Sequence, residues 1–115
     1  MDSDIKTWLY DIIQSIKEIE SYFIDKPRIF EDYQKDIKTK RAVERDIEII
    51  GEAVNRIQKK NIDFKIENAK LIIGTRNRIV HAYDKISDDL IWSIIINHIP
   101  KLKEEIHQIL QQNQD

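Results

Sequence analysis

An arginine five residues before a histidine, with a tyrosine two residues beyond it, is a set of side chains suited to phosphate chemistry. The stretch is Arg76-Asn77-Arg78-Ile79-Val80-His81-Ala82-Tyr83. The guanidinium of Arg76 offers a planar fork for phosphoryl oxygens. An imidazole changes charge near neutrality, so a histidine such as His81 is suited to move protons. Cleaving RNA without a metal needs the ribose 2′-hydroxyl oriented and deprotonated, the departing 5′-oxygen protonated, and charge on the phosphoryl oxygens stabilised. Asn77, one turn before His81, can orient the imidazole or donate to phosphate, and equally fits as a solvated polar residue. Taken singly, the others also fit structural roles: Arg76 snorkelling or paired with a carboxylate, His81 at the surface, Tyr83 at the edge of a core.

Other chemistries lack their residues. There is no cysteine, which removes disulfides, thiolate metal sites and cysteine nucleophiles. His98 and His107 are nine residues apart and miss the i, i+4 spacing of a helical metal pair. No metal and no cofactor are expected. A Gly-rich phosphate loop and a G-x-S-x-G nucleophile elbow are both missing, so neither nucleotide hydrolysis nor serine hydrolase chemistry is supported.

The balance of 19 Lys and Arg against 21 Asp and Glu gives a net charge of -2, with a pI near 5.9. No global positive field draws in nucleic acid, and an RNA site must be local. Lys35, Lys38, Lys40, Arg41 and Arg45 form the strongest basic cluster. They suit RNA phosphates or, with Asp36, Glu44 and Asp46 interrupting them, a solvated helix face.

Helices must position these groups. Apolar residues recur at three-and-four spacing from Ile5 to Phe23, a helix over about 4–24 that Ser3 can cap and Pro27 ends. A second pattern from Ile29 to Ile57 predicts a long helix, broken near Lys38-Thr39. A third, from Ala69 to Tyr83, carries the motif. A fourth begins at Ser87, with Asp88 and Asp89 facing the positive end of its dipole, and is expected to kink around Pro100.

On the third helix Arg76 falls inside the apolar stripe of Ile72, Ile79, Val80 and Tyr83. A guanidinium there needs a partner. Glu52 is the nominee, because the neighbouring Gly51 lets another helix approach closely; as an alternative it is an ordinary surface charge. Arg76 and His81 are about 140° apart around an ideal helix. One helix cannot converge them, and a second copy of the chain can, so a homodimer is expected.

With 115 residues, 41% hydrophobic, 35% charged, and only 2 Gly and 2 Pro, the expectation is one domain over residues 1–115: an all-α antiparallel bundle of four to five helices. The opening Met1-Asp2-Ser3-Asp4 has no basic signal region and no apolar run reaches spanning length. No membrane association and a cytoplasmic location are expected.

The motif resembles the R-x4-H-x-Y signature of HepT-like toxins of the HEPN superfamily. Arg41-Ala42-Val43-Glu44-Arg45-Asp46-Ile47-Glu48-Ile49-Ile50-Gly51-Glu52-Ala53 resembles that family's second-helix signature, and Tyr83-Asp84-Lys85-Ile86 with Trp92 its next segment. The resemblance implies a dimeric HEPN-like bundle and a metal-independent endoribonuclease toxin of a type II/VII-like toxin-antitoxin pair. Its arginine and histidine, here Arg76 and His81, would act in a composite site at the dimer interface. The implied partner is a minimal nucleotidyltransferase antitoxin that transfers AMP to the motif tyrosine, here Tyr83. Attack by the 2′-hydroxyl would leave a 2′,3′-cyclic phosphate. The competing reading is a catalytically silent helical dimer that binds the nucleotidyltransferase or its nucleotide.

Overall fold

In the computed structural model, which describes residues 1–81 and 86–113, every regular element among those residues is helical. Helix α1 spans Ser3–Ser21 and α2 spans Phe30–Lys35. Helix α3 spans Ile37–Lys60 and α4 spans Ala69–His81. Helix α5, Asp88–Ser93, runs through a π-helical turn at Ile94–His98 into α6, Ile99–Gln112. With α5, the π turn and α6 taken as one rod, the described residues form five helical bodies of an all-α fold.

The periodicity places these helices, and local chemistry places their ends. Asp2, rather than Ser3, caps α1: its carboxylate accepts from the Asp4 and Ile5 amides at 2.8 and 3.1 Å. A carboxylate also answers the dipole, which a hydroxyl does not. The long second pattern breaks at Asp36, earlier than Lys38-Thr39. Asp36 leaves helical geometry at φ -95°, ψ 90° and accepts from the Thr39 amide at 3.1 Å, capping α3. Ser87 caps α5 through the Leu90 amide at 3.4 Å. Near Pro100, where a kink is expected, the helix passes through a π turn in which the Ile99 amide donates to the Ile94 carbonyl. The wide turn spares Pro100, which has no N–H, from clashing with a carbonyl one α-turn earlier.

Helices α1 and α3 form the spine, and α6 closes over α1. Leu9, Ile12, Ile16 and Ile19 of α1 meet Val43, Ile47, Ile50, Val54 and Ile57 of α3, all at 2% exposure or less. Isoleucine on helices costs only a weak propensity, and packing on this scale overrides it. Trp92 gathers Phe23, Phe30 and Tyr33 around it, with centroids 6.0, 6.0 and 5.1 Å away, and so ties α2 to α5. Helix α4 leans chiefly on α3, at one edge of a slab 44 × 33 × 18 Å. Among the described residues no helix is long and apolar enough to cross a membrane.

Candidate active site

The site is built where α4 crosses α3. A side chain at Gly51 would have no room, since even a Cβ there would lie 2.3 Å from Arg76 Cβ and 3.2 Å from the Ile72 carbonyl oxygen. Glycine is therefore what lets α4 seat, and the stem of Arg76 fills the space. Ile72 and Thr75 of α4 are buried at 3% and 2% exposure, so Arg76 emerges at the rim of the contact with its side chain 23% exposed.

Its guanidinium is held from two sides. Nη2 forms an ion pair with Glu52 Oε2 at 2.9 Å, and Nη1 donates to Asn77 Oδ1 at 3.0 Å. The other oxygen of Glu52 accepts from Arg56 Nε at 3.0 Å. One carboxylate thus bridges two guanidiniums, one on its own helix and one on the next. Fixing a planar fork this way removes the rotamer freedom that a long side chain would otherwise lose on gripping an anion. Nε of Arg76 is buried without a partner among the described residues. Asn77 therefore holds Arg76 through its amide oxygen, and makes no hydrogen bond to His81.

His81 is the last residue of α4 and is exposed. It has no ion pair or hydrogen bond to Arg76, Asn77 or Glu52 among the described residues, so one chain gathers three of the expected site residues and leaves the histidine apart. Gly74 and His81 lie within about 20° of each other on the outer face of α4. The Cβ position at Gly74 meets nothing within 4 Å. Tyr83 lies outside the described residues.

Beside Arg76 opens a cleft of about 250 Å³ between α1 and α3, lined in part by Trp8, Asp11, Arg45, Glu48, Glu52 and Arg56. The sequence reading missed Trp8, Asp11, Glu48 and Arg56. The signal was present: Arg45, Glu48, Glu52 and Arg56 follow a three-four-four stride that puts them on one face of α3. The basic cluster disperses. Lys40 pairs with Asp88 at 3.1 Å and Arg41 with Glu44 at 3.0 Å, while Arg45 turns to the cleft.

A carboxyl is also buried within α3. Asp46 is 1% exposed and accepts from the Tyr22 hydroxyl at 2.6 Å. Burial, then the neighbouring Glu18 carboxyl, pushes its pKa up to about 7, against the pull of the Tyr22 hydrogen bond. Among the described residues no group of three or more His, Asp or Glu side chains is placed to hold a metal ion.

Comparison with known proteins adds a family. The description Ribonuclease HepT-like matches residues 12–109. A Methanocaldococcus jannaschii protein named "putative RNase" is 34% identical over 94% of this chain and 88% of its own. Another of that organism, with the same designation, is 37% identical over 90% of this chain and 94% of its own. A "probable ribonuclease HepT" of Thermococcus cleftensis is 32% identical over 90% and 94% respectively. No solved structure matches the chain.

Proposed function

Because the chain belongs to the HepT-like ribonuclease family, we propose that it is a metal-independent endoribonuclease in which Arg76 grips the scissile phosphate and His81 transfers protons. The observation that carries this reading is the clamped guanidinium. Glu52 and Asn77 hold Arg76 at the rim of a cleft, with further N–H groups left to meet phosphoryl oxygens. The 2′-oxygen forms a bond to phosphorus as the bond from phosphorus to the 5′-oxygen breaks. The 2′-hydroxyl gives up its proton to a base and the leaving oxygen receives one from an acid, so the products are a 2′,3′-cyclic phosphate and a 5′-hydroxyl. Arg76 offsets the charge that builds on the phosphoryl oxygens, and His81 carries one of the two proton transfers.

The site is completed by a second copy of the chain. Support comes from α4, which packs chiefly on α3 and leaves Asn77, Arg78, Val80 and His81 exposed. A two-fold partner laid along Asn77 and Val80, whose directions around α4 fall between those of His81 and Arg76, would bring one copy's His81 toward the other copy's Arg76.

The chain is the toxin of a pair. Its antitoxin is a minimal nucleotidyltransferase that moves AMP from ATP to the Tyr83 hydroxyl and releases pyrophosphate. Tyr83 follows Arg76 by seven residues, so the added phosphate and adenosine would crowd and repel the RNA phosphate that Arg76 must receive.

Incubating the purified chain with total RNA, with and without EDTA, tests the enzyme reading. Cleavage that survives EDTA and ends in cyclic phosphate is expected. Intact RNA, with the chain still bound to its nucleotidyltransferase, would identify a catalytically silent binding partner instead.

A further inference from the structure

We propose that the cleft between α1 and α3 is a nucleobase pocket that receives a guanine adjoining the scissile phosphate, with Trp8 as its aromatic wall. The inference rests on the reading that Arg76 grips that phosphate, and it adds the substrate feature that the reading leaves open.

Size and charge select the ligand class. At about 250 Å³ the cleft falls below the roughly 300–1,000 Å³ of pockets that enclose drug-sized ligands, which suits a single ring system. Arg45, Arg56 and Arg76 are matched by Asp11, Glu48 and Glu52, so three guanidiniums meet three carboxylates. Beyond the phosphate that Arg76 takes at the rim, a balanced wall does not concentrate anions; it suits a planar group that is polar and uncharged.

The indole supplies a stacking surface, and every base has a π face to lay on it. Trp8 is set before the base arrives. The Lys60 ammonium lies 5.9 Å from its ring centroid and is itself held by Asp2 at 3.3 Å and by Asp4.

The unpaired polar groups select among the bases. Arg56 and Arg76 pair with Glu52, and Arg76 turns its remaining N–H groups to the phosphate, but Asp11, Glu48 and Arg45 have no ion-pair or hydrogen-bond partner among the described residues. A carboxylate accepts two parallel hydrogen bonds from the N1–H and N2–H groups of guanine. In adenine and cytosine a ring lone pair sits beside the amino group and repels a carboxylate, and uracil offers one N–H between two carbonyls. Guanine also presents O6 and N7, the pair of acceptors that an arginine fork matches. Trp8 for stacking, Glu48 or Asp11 for the donor edge and Arg45 for the acceptor edge make a complete set for guanine.

The test combines cleavage mapping with a binding arm that does not depend on cleavage. With RNA of random sequence, guanine should be enriched at a position flanking the cut. Trp8→Ala should raise KM about 5- to 150-fold with kcat nearly unchanged, Trp8→Phe should restore most of the loss, and Glu48→Gln should erase the guanine preference. Cleavage without base preference, or an unchanged KM in folded Trp8→Ala, overturns the proposal while the nuclease reading stands.

For binding, His81→Ala protein is titrated with the four nucleoside monophosphates and with short RNAs carrying one guanine. The fluorescence change lost in Trp8→Phe reports the pocket. Quenching by the guanine-bearing RNA, stronger than by guanosine monophosphate and absent with the other bases, is expected even if the chain cleaves no RNA. Equal affinity for free guanosine monophosphate would assign the pocket to a free nucleotide, and no quenching would remove it; either result overturns the proposal.

Discussion

Arg76 occupies the volume that any side chain at Gly51 would need, with its Cβ and Cγ 2.3 and 2.9 Å from where a Gly51 Cβ would stand. The seat of α4 and the placement of its arginine are therefore one structural fact. Gly51→Ala gains about 1 kcal/mol of helix propensity but drives a methyl group into a backbone-anchored neighbour, an overpacking cost of roughly 1–3 kcal/mol. A net loss on the order of 1 kcal/mol is expected, read as a lower urea midpoint at unchanged m-value, together with a larger fall in RNA cleavage. A more stable Gly51→Ala protein with full activity would show that α4 is not seated this way.

Glu52→Gln keeps the shape and removes the charge that Arg76 and Arg56 share. Misplacing a group that grips the reacting phosphate costs on the order of 10- to 100-fold in rate. The loss should appear in kcat with little change in melting temperature. An equal rate would reduce Glu52 to a surface charge.

Arg76→Ala and His81→Ala should part company in stability while agreeing in inactivity. His81 is exposed, so its removal should leave the melting temperature alone and lower cleavage by about 10²- to 10⁴-fold, the usual worth of a proton-transfer group. Arg76→Ala should also melt earlier, because Glu52 loses a partner and the Gly51 crossing loses its filling. Wild-type cleavage by His81→Ala would take the histidine out of the mechanism.

Val80 tests the two-fold contact. It is 40% exposed, so Val80→Ala should fold about as stably as the parent. Val80→Arg should still fold, and light scattering should find a monomer without nuclease activity. A Val80→Arg dimer with full activity would move the interface elsewhere.

The pH dependence of stability should carry the mark of Asp46. Its carboxyl binds a proton more tightly in the folded chain, near pH 7, than in the unfolded chain, near about 4. The stability it contributes is full below about pH 4 and is lost as pH rises toward 7. Asp46→Asn should flatten the melting temperature between pH 5 and 7.5 relative to the parent. Parallel curves for the two proteins would place the titration on another group.

The all-α class and the Arg76 anomaly were legible because both are statements about spacing. An arginine inside an apolar stripe demands a partner, and a glycine beside a carboxylate on the facing helix marks where one can stand. Helix ends were less legible: Asp2 outcompetes Ser3, and Asp36 breaks a continuous stripe through its own cap, by local hydrogen bonding that periodicity does not record. The Trp8 cleft escaped because its two walls lie more than thirty residues apart in sequence, and each alone looks like a solvated charged face.

The π turn sets the angular bookkeeping of the last rod. Ile91, Ile95, Ile99, Leu102, Ile106 and Leu110 all reach the core, yet nineteen residues of regular α-helix would overshoot five turns by about 100°, the rotation of one residue. The turn at Ile94–His98 absorbs that surplus residue. It also shelters Pro100, so the extra residue and the proline are epistatic: removing the extra residue alone returns the proline to an α-helical turn, which it breaks. Removing both would leave a straight helix with the same buried face.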